Sequence, residues 1–367
     1  MKPELEKLCT EYIANRDAVS KAFIFDDKAL HAVCANIFCA CGQTADTDRL
    51  KDCRKLIKKQ TKPFSRFRSK KVRSILASML SLGETPENRM ALAGDYYSML
   101  KKQFKKTEYL VLTAFLFTDL ADKPLTEDTV TRGKEIYRMM NQKHRLLTDK
   151  TDSVFAMLLA CSEKTSDELI SEMEACYAFL KGSFSSGSGR QAASQILAMA
   201  AGAPEEKAQR LIDLYNALKE AGIKYGHSDE LAPLAALSLS DTPVPVLAEE
   251  IREADEFLKE QKGYGSRETE EEKRAVHAVM IISDQYAGTG QVNVTVATNT
   301  LDMLHAKEIA ARISLFTNAL QFLVKLIPGA DEQIKTDEQG KADQQTEADG
   351  QANKAESETA GNAKDGK

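Results

Sequence analysis

The chain has 367 residues and a formal charge of −5, with 43% apolar residues, 7% aromatics and no tryptophan. That length is enough for a sizeable core or an extended repeat array, and a mix rich in Ala, Leu, Glu, Lys and Met favours helix over sheet. Residues 331–367 hold ten acids and five lysines, so the remainder is close to neutral and overall charge points to neither a nucleic acid nor a membrane.

The first residues, Met1-Lys2-Pro3-Glu4, are charged and lack the apolar centre of a signal peptide. Residues 1–30 read as a leading helix and a short turn. From 31 to 290 the chain repeats. A phrase of tyrosine, two spacers, a large apolar residue and usually lysine starts at Tyr97, Tyr137, Tyr177 and Tyr215, and a fifth copy at Asp255 has lost its tyrosine. The steps are 40, 40, 38 and 40 residues. A period of this length marks a helical repeat array.

Each repeat divides into two helices. The first carries a small residue inside an apolar run, the series Ala35, Ala77, Ala114, Ala156, Ala198, Ala236 and Ala278. Alanine there lets two helices approach closely. The second helix carries the tyrosine phrase, with apolar residues three and four apart, as at Leu169, Met173, Tyr177 and Leu180. Its start is marked by Thr85-Pro86-Glu87, Thr126-Glu127-Asp128, Ala203-Pro204 and Thr242-Pro243, and by the capping box Thr165-Ser166-Asp167-Glu168. About six pairs fit, the last incomplete. Stacked pairs bury faces that one pair leaves open, and the tyrosines are expected to pack in that seam.

Gly288-Thr289-Gly290 breaks the pattern, Val292, Val294 and Val296 alternate with polar residues, and 301–327 reads as a C-terminal helix with an apolar face suited to self-association. Residues 331–367 have no apolar period and are expected to be disordered. No run is long and apolar enough to span a membrane. Seven cysteines and no export signal place the chain in the reducing cytoplasm.

The strongest charge feature is the stretch from Arg49 to Arg73, which holds twelve basic residues and one acid, Asp52. Arg54, Lys55, Lys58, Lys59, Arg66, Arg68, Lys70 and Lys71, with Phe64 and Phe67 among them, are candidates to hold phosphates and stack bases. The same residues also suit solvated helix faces or a docking site for the acidic tail. Cys34, Cys39 and Cys41 lack the paired spacing of a zinc site and read as core thiols. In the loop Tyr225 to Glu230, His227 and Asp229, with His277 from a following helix, form the one candidate catalytic constellation; Ser228 or Asp229 equally suits a helix cap. Gly182 to Arg190 lacks the ending and preceding strand of a phosphate loop and reads as a flexible connector. No cofactor is expected.

Three stretches carry a resemblance: Ala198 to Leu218, Ala221-Gly222-Ile223-Lys224 with Asp229-Glu230-Leu231-Ala232-Pro233-Leu234, and Phe257-Leu258-Lys259-Glu260-Gln261-Lys262-Gly263. Together they resemble the Firmicutes domain-of-unknown-function family numbered four thousand and three, over most of residues 5–290. The resemblance implies a bacterial cytoplasmic setting and brings no activity or catalytic residue.

The expectation is therefore an all-α protein, residues 1–330 in one domain of stacked, α-solenoid-like helix pairs. The leading functional reading is a non-catalytic scaffold that binds a protein or peptide on a concave face. Nucleic-acid binding through 49–73 is the first alternative, and an enzyme centred on 225–230 the second.

Overall fold

Two kinds of helix alternate along the chain. The computed structural model describes residues 1–118, 124–228, 230–265 and 269–286, and among these residues it contains fourteen α-helices and no strand. The region expected to hold the Val292–Val296 alternation, the C-terminal helix and the tail lies outside the described residues, as does Asp229.

The odd-numbered helices are α1 (Pro3–Ala22), α3 (Thr47–Gln60), α5 (Pro86–Leu100), α7 (Glu127–Lys143), α9 (Ser166–Leu180), α11 (Pro204–Glu220) and α13 (Val244–Lys259). They are amphipathic. Helix α7, for example, buries only Val130, Gly133, Ile136 and Met140, one residue per turn. The even-numbered helices are α2 (Lys28–Ala40), α4 (Arg73–Leu82), α6 (Glu108–Phe117), α8 (Asp152–Leu159), α10 (Gly187–Leu197), α12 (Leu231–Ser238) and α14 (Glu271–Tyr286). Every residue of α8 and α12 is buried. A helix covered on all sides belongs to the interior, so the even helices form an inner wall and the odd helices an outer layer. The whole alanine series is completely buried.

Packing then closes the array. Helix α1 packs on α3, and each outer helix packs on the next as far as α13, which packs back on α1. In the inner wall α14 touches both α12 and α2. The leading helix therefore supplies the outer neighbour that the last copy lacks. The leading and last hairpins are the two sides of one seam, and the described residues form a closed ring of seven helix hairpins. Closure brings the last hairpin against the first, so the array has no open edge between them. Across the seam Lys2 pairs with Glu250 at 2.8 Å, the Tyr12 and Tyr264 hydroxyls lie 3.1 Å apart, and the Tyr264 hydroxyl lies 2.5 Å from His277 Nδ1.

The tyrosine phrase has a different geometry from the one expected. The fully covered positions are the residue before each tyrosine (Tyr96, Ile136, Cys176, Leu214) and the residue three after it (Leu100, Met140, Leu180, Leu218). The tyrosines are half-buried. Each meets a ring from the preceding connection: Phe67–Tyr97, Phe104–Tyr137, His144–Tyr177 and Phe184–Tyr215, with centroids 5.3, 5.9, 4.4 and 5.1 Å apart. Three of these four are edge-to-face, a favourable aromatic arrangement. Where the tyrosine is lost, Asp255 is buried and takes two hydrogen bonds of 2.9 Å from Arg274 of the following inner helix.

A second periodic device pins the C-terminal ends of the inner helices. Those ends expose carbonyls with no partner inside the helix. Arg49 donates to the carbonyls of Ser81 and Gly83, Arg132 to those of Ala160, Ser162 and Lys164, and Arg210 to those of Ser238, Ser240 and Thr242. At α10 the device is rebuilt: Lys164 and Lys207 reach the carbonyls of Ala198 and Ala200, and both pair with Glu172. The Thr165–Glu168 capping box forms, and Thr126 caps α7. Thr85 makes no side-chain cap, and Pro86 takes the first position of α5, where an amide would have no partner in the helix.

Candidate binding face

Helices joined by short connections run antiparallel, so all seven outer-to-inner connections emerge at one end of the ring. A circuit of side-chain bonds runs round that end. Asp26, between α1 and α2, accepts from Arg54, Arg73 and Ser74. Arg66, between α3 and α4, pairs with Glu108 at the start of α6. Lys150, between α7 and α8, lies over the Tyr109 ring. Gln191 of α10 donates to Thr148. Ser186 meets Ser228, Lys224 pairs with Glu271, and Arg16 lies over the Tyr264 ring. Each bond joins neighbouring hairpins, which fixes the connections relative to one another.

The basic stretch lies at this end, and the structure sorts its residues into two groups. Arg54 and Arg73 hold Asp26. Burial pushes the Asp26 carboxyl up, but bonds from Ser74 and Arg73 and the charges of Arg54 and Arg73 outweigh it and keep the acid below its ordinary range. Arg68 ties the connection together by donating to Thr61 and to the carbonyls of Lys58 and Thr61. Phe67 is buried against Tyr97 and Phe115. These groups build the loop and are not presented to a ligand. Lys55 pairs with Asp52 on the flank of α3, Arg66 shares Glu108, and Lys71 is half-buried. Lys58, Lys59, Lys62 and Lys70 are exposed.

The adjacent connections extend the same charge. Lys101, Lys105 and Lys106 are exposed between α5 and α6, where Lys102 pairs with Glu127 of α7, and Lys143 at the end of α7 is exposed together with Arg145 and Lys150 of the connection to α8. Towards the opposite end the first turns of the outer helices carry Asp48, Glu87, Asp167, Glu168, Glu205 and Glu206. Acids at helix starts and bases at helix ends complement the helix dipoles. All outer helices run one way, so this preference favours bases at the loop-bearing end, offset there by Glu108 and Glu271 at the starts of inner helices α6 and α14.

Of the histidine constellation, Asp229 lies outside the described residues, and the two histidines differ in setting. His277 is buried in the seam, with Tyr12 and Tyr264 as its ring neighbours. Burial, then the charges of Arg16 and Lys273, pushes its imidazole down to about 3. His227 is exposed. Around it, the Tyr225 hydroxyl donates to the Glu230 carbonyl, and the Glu230 carboxylate accepts from the Ser228 amide, so these groups brace their own loop. Gly182 to Arg190 is also more ordered than a flexible connector: Ser186 caps α10, and a Cβ on Gly189 would collide with the Ser228 carbonyl. His31 is buried and bonds the Phe23 carbonyl at 3.0 Å.

Sequence reasoning missed one buried acid at this end. Asp152 accepts from Gln195 at 2.6 Å, from Gln191 at 3.3 Å and from the Asp149 amide at 2.6 Å. Burial raises its carboxyl to about 6, against the opposing effect of those bonds. The available signal was a pair of glutamines one turn apart, Gln191 and Gln195, flanking the run Ala192-Ala193-Ser194 of a first helix. Among the described residues no group of three or more His, Cys, Asp or Glu is placed to hold a metal ion, and no helix is long and apolar enough to cross a membrane.

Fold and face together define a closed all-α ring with one basic, loop-bearing end. The family model described as "Protein of unknown function (DUF4003)" matches residues 15–310, and the chain belongs to that family. No curated protein and no solved structure matches it.

Proposed function

We propose that this protein is a non-catalytic binding module that holds a polyanionic partner on the loop-bearing end of the ring. The observation that carries this reading is the polarity of the molecule. The end of α3 and three adjacent connections present exposed Lys58, Lys59, Lys62, Lys70, Lys105, Lys106 and Arg145, and the acidic first turns of α3, α5, α9 and α11 lie towards the far end. A surface of one sign attracts an oppositely charged partner and orients its approach. A protein-binding scaffold with a concave groove is the expectation for an open array; this array has no open edge, so the reading moves from a groove to a face. Of the basic stretch, Lys58, Lys59, Lys62 and Lys70 carry the contact, while Arg54 and Arg68 keep the loop in shape. Seven free cysteines support a reducing compartment.

Titrating the protein with a fluorescent polyanion such as heparin tests this. Binding should weaken steeply with salt, as expected when many cations replace counterions. Reversing Lys58, Lys59, Lys62 and Lys70 to glutamate should abolish it with the melting temperature preserved. Undiminished binding in that variant would sink the reading.

A further inference from the structure

The same end of the ring carries the most exposed apolar side chains of the described residues. Phe64 is 102% exposed, Leu146 98%, Phe25 97% and Ile24 71%, and no other large apolar residue passes 45%. All four sit in outer-to-inner connections: Ile24 and Phe25 between α1 and α2, Phe64 between α3 and α4, Leu146 between α7 and α8. Scattered single apolar residues need no explanation, but four nearly naked ones confined to one end of a ring do. Phe64 adds an independent sign. Its φ is +64°, and it is the one described non-glycine residue with positive φ. A bulky side chain in the left-handed region is a costly arrangement that persists where its surroundings enforce it. Arg68 ties the far side of the turn back to Thr61 and Lys58 before it, which holds the segment that contains Phe64.

From this geometry we infer that the loop-bearing end docks on an anionic lipid bilayer, the lysines meeting the headgroups and Phe25, Phe64 and Leu146 entering the interfacial layer. This rests on the polyanion reading and names its partner. A bilayer is the polyanion that also takes up apolar groups beside its charges, which suits apolar tips projecting from a basic face. Single-stranded nucleic acid fits less well. It needs aromatic platforms along a groove, yet Phe67 is buried, and two of the four exposed groups, Ile24 and Leu146, are aliphatic. The bonds from Asp26 to Arg54 and Arg73 fix the Phe25 and Phe64 connections to each other, so their tips act as one anchor.

The test is co-sedimentation of the full chain with phosphatidylcholine vesicles, with and without phosphatidylglycerol, in low and high salt. The protein should pellet with the anionic vesicles alone and be released by salt. Each lysine reversed to glutamate should weaken binding at least about fivefold, the effect of one basic residue near an anionic surface. The triple variant Phe25→Ser, Phe64→Asn, Leu146→Ser should lose at least about tenfold in vesicle affinity while heparin binding stays unchanged; asparagine tolerates the backbone angle at 64. A thermal melt confirms that each variant is folded. Failure to pellet with anionic vesicles overturns the inference, and so does equal vesicle binding by the triple variant. Binding to an RNA or DNA oligonucleotide without binding to vesicles would also overturn it while leaving the polyanion reading intact. Loss of heparin binding by wild type would remove both.

Discussion

Acidification should act first at the seam that closes the ring. His277 is buried between Tyr12 and Tyr264, takes its bond from the Tyr264 hydroxyl, and has Arg16 and Lys273 as its nearest cations. Its imidazole is displaced from 6.5 to about 3, chiefly by burial. A group whose folded value is depressed contributes stability that is complete above its unfolded value and is lost as pH falls towards the folded one. At 1.36 kcal/mol per pH unit the full displacement corresponds to about 5 kcal/mol, of which about 3 kcal/mol is lost between pH 6.5 and pH 4. His277→Phe removes the titrating group and keeps a ring in the seam. At pH 7 the variant should be less stable by about 1–2 kcal/mol, the loss of one hydrogen bond, since Tyr264 keeps Tyr12 as a partner. At pH 4 it should be the more stable of the two. Urea titrations at pH 7, 6, 5 and 4, compared as differences between the two proteins, show whether the curves cross. Parallel curves would refute the reasoning and would mean that water reaches the imidazole.

Asp152 titrates in the opposite sense: its folded value is raised from 3.8 to about 6, so its contribution is present below pH 3.8 and is lost as pH rises through 6. Asp152→Asn should therefore stabilise the protein at pH 7, by up to about 3 kcal/mol, and should have little effect at pH 4, as read from melts at both values. An asparagine amide can also donate to Gln191 Oε1, which has no partner. Breaking the buried Asp255–Arg274 pair with Arg274→Met should cost about 3–5 kcal/mol, because it strands a carboxylate, and adding Asp255→Leu should recover most of that loss in chemical denaturation. Arg132→Ala leaves three carbonyls at the end of α8 without their donor; a cost of about 2–3 kcal/mol and faster amide exchange in residues 157–165 are expected.

The repeat itself was legible in the sequence because its signals are local. Alanine spacing, the Thr165–Glu168 box and the stripe of the second helix all depend on residues within a turn or two. Closure was not legible, since it depends on pairs such as Lys2 and Glu250, 248 positions apart, which leave no periodic trace. Asp255 looked like a lapse in the tyrosine phrase because its partner, Arg274, sits 19 residues on in the next inner helix. The basic stretch was visible as charge, but charge alone does not separate Arg68, spent on the carbonyls of its own loop, from Lys70, which faces solvent. Gly189 shows the same limit: a serine- and glycine-rich run reads as a connector until the Ser228 backbone is placed against it. The candidate face was half legible. Its lysines were apparent, whereas its apolar tips belong to three connections far apart in the chain.

Ring closure carries the rest, because it brings the connections to one end and makes that end a face. It can be tested on the unmodified protein with a carbodiimide, which joins an amine to a carboxylate already in contact. Lys2 lies 2.8 Å from Glu250, and Glu253 is close enough to raise the Lys2 pKa. Peptide mass spectrometry of the monomeric product should find Lys2 joined to Glu250 or Glu253. If Lys2 is recovered only with acids of the first three helices, the array is open and the account is wrong.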